Sequence, residues 1–187
     1  MIRAVFDANV LYSVILRGIV IHLAAAKIIL PLWSEEIQDE WTRNLLLRRP
    51  DLKQENVKQV RHDMNTRFPE SHVTGYEHLI ETLTLPHQKD RHVLAAAIHA
   101  EADCIVTFNL DDFPQSALTP YQVEAVSPDD FFLRIIKYDT KEFINTISRH
   151  RAVLSRPSQT VDEYLTTLEM LGLTKTVASL QQHRSEI

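Results

Sequence analysis

The sequence predicts an α/β domain, a parallel sheet flanked by helices, with a C-terminal helical extension. Three observations carry that expectation. Short apolar runs of strand character alternate with longer amphipathic runs up to about residue 135. Beyond that point no strand pattern remains. The acidic excess also ends near there: residues 1–128 hold 12 Lys and Arg against 17 Asp and Glu, whereas 129–187 hold 8 and 8. We therefore divide the chain into an α/β domain, 1–135, where chemistry is to be sought, and a helical extension, 136–187. A length of 187 residues suits one domain with such an appendage.

Ile2 to Phe6 reads as a strand that stops at Asp7. Asn9–Leu16 and Ile19–Lys27 read as helical segments joined at Gly18. Ile28 to Leu32 is a second strand, in which Pro31 marks an end or an edge. Ser34 is a good N-cap, with Glu35 and Glu36 suited to the first turn. Ile37, Trp41 and Leu45 then form one apolar helical face reaching about Arg49, and Pro50 stops it. Gln54–Phe68 and Asp90–Ala102 are further helices, with a short one at Glu77–Leu83. Cys104–Phe108 and Gln122–Val126 are the third and fourth strands. In the extension, Thr140–Leu154 is helical and Ser155-Arg156-Pro157-Ser158 is a linker. Thr160 and Glu163 have capping-box spacing, the helix they open stops at Gly172, and Thr174–His183 is the last helix.

Composition excludes several function classes. Three glycines cannot build a phosphate-cradling loop of the nucleotide-binding types. The single Cys104 rules out a disulfide scaffold and a cysteine zinc site, and its apolar setting predicts a buried thiol. A net charge of −5 excludes a generally basic coat but not a local basic patch. The N-terminus meets Asp7 too early for a signal peptide. The apolar tract from Gly18 to Trp33 is interrupted by His22, Lys27 and Pro31, too broken to span a bilayer. The expected location is cytoplasmic.

In open parallel sheets, ligands bind beyond the carboxyl ends of the strands. Asp7 ends the first strand, and Asn109, Asp111 and Asp112 follow the third. If those strands are neighbours, their side chains converge. Asp90 opens the long helix just before, and Glu40 lies at the edge of an apolar helical face. So many oxygen ligands in one crevice repel one another unless a hard cation, Mg²⁺ or Mn²⁺, sits among them. Such an ion supports phosphodiester hydrolysis.

The residues resemble a known family here. Val5-Phe6-Asp7-Ala8-Asn9-Val10-Leu11 is similar to the opening motif of PIN domains. Lys89-Asp90-Arg91-His92-Val93-Leu94-Ala95-Ala96-Ala97 resembles the second acidic motif, and Ile105 through Pro114 the third. Glu40 matches the helical Glu. All stand in order over about residues 1–135. The resemblance implies a PIN-like fold and a metal-dependent endoribonuclease. It further implies a VapC-type toxin of a toxin–antitoxin pair, in a longer subgroup with a helical extension around Arg156-Pro157 and Thr160–Leu165. Carried over, Asp7, Glu40 and Asp90 form the acidic core. Many relatives have Asp where Asn109 stands, so either Asn109 or Asp112 fills the fourth position. His87 also replaces an acid common in relatives.

The stretch after Glu40 contains Arg43, Arg48, Arg49, Lys53, Lys58, Arg61 and Arg67 against Asp51, Glu55 and Asp63. A basic ridge beside an acidic site draws in a polyanion, so Arg43, Arg48, Arg49 and Lys53 are expected RNA contacts. His62, His92 and His99 are expected to be surface groups or neighbours of the ligands, since they lack zinc spacing. Phosphatases of the haloacid dehalogenase type also start with a post-strand Asp, but need a second acid where Asn9 stands. A degenerate PIN fold that binds RNA or a partner without cleaving is the alternative, kept open by Asn109. The resemblance implies a cognate antitoxin, which inserts Arg or Lys into the acidic crevice. The apolar face of Phe143, Ile144, Ile147, Leu165, Leu168 and Leu171 either packs on the chain's own domain or receives the antitoxin or a second copy in a homodimer.

Overall fold

The strands Ile2–Phe6 (β1), Ile29–Ser34 (β2), His72–Val73 (β3), Cys104–Val106 (β4) and Glu124–Val126 (β5) form one sheet in the order β3-β2-β1-β4-β5. Every neighbouring pair is parallel. This computed structural model describes residues 1–154 and 157–187. From β1 the chain builds outward to β2 and β3, then returns to add β4 and β5 on the other side. The strand order therefore reverses between β1 and β4, which opens a crevice at their carboxyl ends.

Ala8–Leu11 (α1) and Val14–Ala25 (α2) follow β1. The break falls at Tyr12 and Ser13 rather than at Gly18. Ser13 is extended and its hydroxyl accepts the Leu16 amide at 3.3 Å, so it starts a new helix. Gly18 lies inside α2 for a packing reason: a Cβ there would collide with the imidazole of His150. β2 runs on to Ser34 through Pro31. The edge expected at Pro31 is present on one side only, because β3 pairs just Trp33 and Ser34.

Ser34 caps Glu35–Arg48 (α3), accepting the Ile37 amide, and α3 buries Ile37, Trp41 and Leu45. Gln54–Arg67 (α4), Glu77–Ile80 (α5), Arg91–His99 (α6) and Gln115–Leu118 (α7) complete the flanking layers. Cys104 is buried and its thiol is pushed up to about 12 by desolvation.

Pro128–Tyr138 (α8) is an element the sequence reading omits. Ser127 caps it, Pro128 occupies the first turn, and it buries Phe131, Phe132, Ile135 and Ile136. Phe131 meets Phe6 of β1 edge-on, with centroids 5.4 Å apart. Thr140–Val153 (α9), Val161–Met170 (α10) and Thr174–Leu180 (α11) follow. The Thr160–Glu163 capping box is present. Of the expected linker, Ser155 and Arg156 lie outside the described residues. Phe143, Ile144, Ile147, Leu165 and Leu168 are buried within the chain.

Contacts at two places help bind the extension to the rest. His150 of α9 is buried over Gly18, its Nδ1 2.7 Å from the Tyr164 hydroxyl, with the His22 ring edge-on at 5.2 Å. Asp129 of α8 accepts the backbone amides of Thr176 at 2.8 Å and Lys175 at 2.9 Å, so it caps α11 from outside that helix. Among the described residues, no helix is long and apolar enough to cross a membrane.

Candidate active site

Asp7 leaves β1 with its amide donating to the Val106 carbonyl of β4 at 3.0 Å. Its Oδ2 accepts from Asn9 Nδ2 and from Thr107 Oγ1, both at 2.7 Å. Thr107 is fully buried, and its oxygen also accepts the Asn109 amide at 3.0 Å. The Phe108 amide donates to Asn9 Oδ1 at 3.2 Å. One carboxylate oxygen is therefore fixed by two donors, and the segment after β4 is fixed to the segment after β1.

The neighbouring acids act on one another. Burial raises the pKa of Asp7 first, and the charges of Glu40 and Asp90 add to it, against the Thr107 hydrogen bond. Burial raises that of Asp90 too, followed by the charge of Asp112 and, more weakly, Glu40. Asp90 Oδ2 is buried without a hydrogen-bond partner. His87 Nε2 stands 3.4 Å from Asp112 Oδ1. Asp7, Glu40, Asp90 and Asp112, carried by the end of β1, α3, the start of α6 and the turn after β4, thus lie near enough to act on one another's charge. Asn109 is exposed at the same turn.

His92, on the first turn of α6, is buried between two acids of α3. Its Nε2 lies 3.5 Å from Glu40 Oε1 and its Nδ1 3.6 Å from Glu36 Oε2. These are ion-pair contacts at the outer limit of hydrogen bonding, and neither ring nitrogen has another partner. Burial opposes charge on the ring, but Glu40, Glu36 and Asp7 outweigh it and raise its pKa. His62 and His99 are exposed, as the sequence suggests.

Among the described residues, no three His, Cys, Asp or Glu side chains stand close enough to enclose a metal ion by themselves. The donor set still fits a hard cation of the Mg²⁺ type. That ion is commonly held by one or two carboxylates plus waters and substrate phosphates, not by an all-protein cage. The unpartnered oxygen of Asp90 and the mutual repulsion of the acids are what such an ion would relieve.

The basic stretch divides. Arg49 is bound in a two-pronged pair with Asp51, at 2.8 and 2.6 Å, and Arg61 pairs with Glu35 and Asp39. Arg43 lines a cleft between α3 and α4, with Lys58 and Arg61. Arg48 follows Glu40 and Asn44 along one helical edge, and its guanidinium lies over Tyr12, 5.6 Å from the ring centroid. Lys53 is exposed before α4. Of the four expected RNA contacts, Arg48 shares a helical edge with Glu40, two turns on, while Arg49 is already paired with Asp51.

Sequence reasoning left Asn9, Thr107 and Glu36 out of the site. Asn9 carried a signal, two residues past Asp7. Thr107 and Glu36 did not, since their roles depend on β1 lying against β4 and α3 against α6.

Comparison with known proteins bears on the family of the chain. The PIN domain family model matches residues 3–111, over half the chain, and the VapC50 C-terminal domain model matches residues 128–182. A Mycobacterium tuberculosis protein named "Putative ribonuclease VapC50" is 56% identical over 59 residues, 32% of this chain and 34% of that protein. The match thus spans about a third of the relative's length. No solved structure matches the chain.

Proposed function

The chain belongs to the PIN-domain family, and from that premise we propose that it is a Mg²⁺- or Mn²⁺-dependent endoribonuclease, the toxin of a toxin–antitoxin pair. What carries the reading is the mutual charge repulsion among Asp7, Glu40, Asp90 and Asp112 beside the ends of β1 and β4, with one oxygen of Asp90 buried and unpartnered. In this reading residues 1–135 form the nuclease domain and 136–187 its extension.

Asp7, Glu40, Asp90 and Asp112 would hold the cation, one or two of them directly and the others through its waters. When bound, the cation polarises a phosphoryl oxygen and lowers the pKa of a water. The remaining work belongs to the chain. Thr107 and Asn9 fix one oxygen of Asp7 from two sides and so set the orientation of its carboxylate. His92 keeps Glu40 and Glu36 apart and orients Glu40 toward the crevice. Arg48, Arg43 and Lys53 attract the RNA backbone toward an opening that would otherwise repel it. Asn109 positions water or substrate through its amide, and Asp112 supplies the fourth charge.

The antitoxin is a protein that offers Arg or Lys to these carboxylates. The toxin works in the cytoplasm, and pairing as a homodimer belongs to the same proposal. Incubating bulk RNA and individual tRNAs with the protein and Mn²⁺, beside Asp7→Asn, tests the reading. Cleavage by wild type and none by the variant supports it. Equal cleavage by both overturns it. The second reading, a non-cleaving RNA- or partner-binding module, is favoured by the uncharged Asn109. It predicts no heat of Mn²⁺ binding in calorimetry.

A further inference from the structure

A large apolar side chain stands at the rim of the acidic opening and takes no part in the chemistry above. Phe108 directly follows Thr107, the residue that holds Asp7, and is 43% exposed. Leu110, two residues on, is 42% exposed. Single exposed apolar side chains are ordinary. This one is distinguished by how firmly it is mounted. Its own amide is tied to Asn9, the next amide to Thr107, and the Asp112 amide closes the turn onto the Asn109 carbonyl at 3.2 Å. The backbone on either side of the ring is therefore fixed to the floor of the site.

The extension reaches the same ring. Gly172, between α10 and α11, has φ +86°, and a Cβ there would stand 3.8 Å from Cε1 of Phe108. The turn thus presents bare backbone to one edge of the ring and leaves the rest open. An aromatic face attracts any nucleobase without needing charge, which matters where the surrounding acids repel the backbone. Sequence-specific RNA recognition relies mostly on unpaired bases that can stack in this way.

Resting on the ribonuclease reading, we propose that Phe108 is the stacking platform for an unpaired base of the RNA, beside the phosphate held at the acidic opening. The Gly172 turn of the extension forms one wall of that base pocket. The extension thereby contributes to substrate choice and not only to the core.

The full-length protein tests this with a single-stranded oligouridylate and a ribose-phosphate chain of equal length lacking bases. Phe108→Ala should raise KM for the oligouridylate about tenfold, with kcat within about twofold. Phe108→Trp should restore KM. The new indole should be quenched by the oligouridylate in metal-free buffer and not by the baseless chain. An unchanged KM in Phe108→Ala, or equal quenching by both chains, overturns the proposal and leaves the ring to a protein contact. If wild type cleaves no RNA, the ribonuclease reading fails, and the quenching comparison still decides the platform.

Discussion

At the crevice between β1 and β4, ionisable groups are buried beside like charges. Where α2 meets the extension, a buried imidazole gives up its charge and is held by a hydroxyl. Burial raises Asp7 and Asp90, and each is raised further by other carboxylates. Burial instead pulls His150 down to about 4, and the His22 ring beside it pushes the same way, leaving His150 neutral against the Tyr164 hydroxyl. Both regions remove charge from water, but only the second relieves the cost within the chain. The contrast separates a region kept in electrostatic tension, which a ligand can discharge, from one built to hold two parts together.

The largest effect that would break the contrast is at Asp7. Asp7→Asn should lower RNA cleavage by at least about 100-fold, since even partners of metal ligands cost 10- to 100-fold. Its metal-free melting temperature should equal or exceed that of wild type, because a repelled charge is gone. A large fall in melting temperature would show Asp7 to be structural.

His150→Ala should do the reverse, costing on the order of 2–4 kcal/mol through a cavity and a stranded Tyr164 hydroxyl, with cleavage per folded molecule unchanged. Gly18→Ala should cost about 1–3 kcal/mol through overpacking against the same imidazole. The double variant should be more stable than the two costs added together. Chemical denaturation of the three proteins checks this.

Acid sharpens the comparison because the two regions respond with opposite sign. An unfolded His150 takes up its proton near pH 6.5, but the folded one resists until about 4. Its contribution is therefore present above pH 6.5 and lost as pH falls through that window. Asp7 and Asp90 are raised, so their contribution is present below the unfolded value of 3.8 and lost as pH rises through their folded values. In metal-free protein, His150→Gln should flatten the loss of stability between pH 6.5 and 4, and Asp7→Asn should steepen it.

Smaller effects concern the rim of the crevice. Asp112→Asn should reduce turnover about tenfold more than Asn109→Ala, because Asp112 is the charge that acts most on Asp90. The opposite ranking would make Asn109 the ligand. Arg48→Ala should lower the salt slope of RNA binding by about one, whereas Arg49→Ala should hardly change it because Asp51 already neutralises Arg49. Titrations at several salt concentrations distinguish the two.

These tests rest on residues whose legibility in the sequence was uneven. β1 ending at Asp7, the apolar face of α3, and the Thr160–Glu163 cap were readable because each is a local pattern. β3 was not: it is two residues long and exists only through pairing with the end of β2. Gly18 was misleading as a break because its reason, the His150 imidazole packed against it inside α2, lies far along the chain. α8 had its local signal in Ser127-Pro128, but the preceding acidic-domain pattern suggested an end there. In the crevice, the acids were readable from their positions after strands and at a helix start. Thr107 and the bracketing of Glu40 by His92 became visible only with β1 beside β4 and α6 beside α3. The pairing of Arg49 with Asp51, two residues apart, was local and could have been anticipated.

The cap that Asp129 places on α11 has a consequence for measurement. The amides of Lys175 and Thr176 are protected by a side chain from α8 and not by their own helix. Their exchange with deuterated solvent therefore reports the separation of those two helices, while the middle of α11 reports its own unwinding. Two adjacent amide signals serve as a built-in gauge of whether the end of the chain has undocked, readable in the intact protein without a label or a substitution.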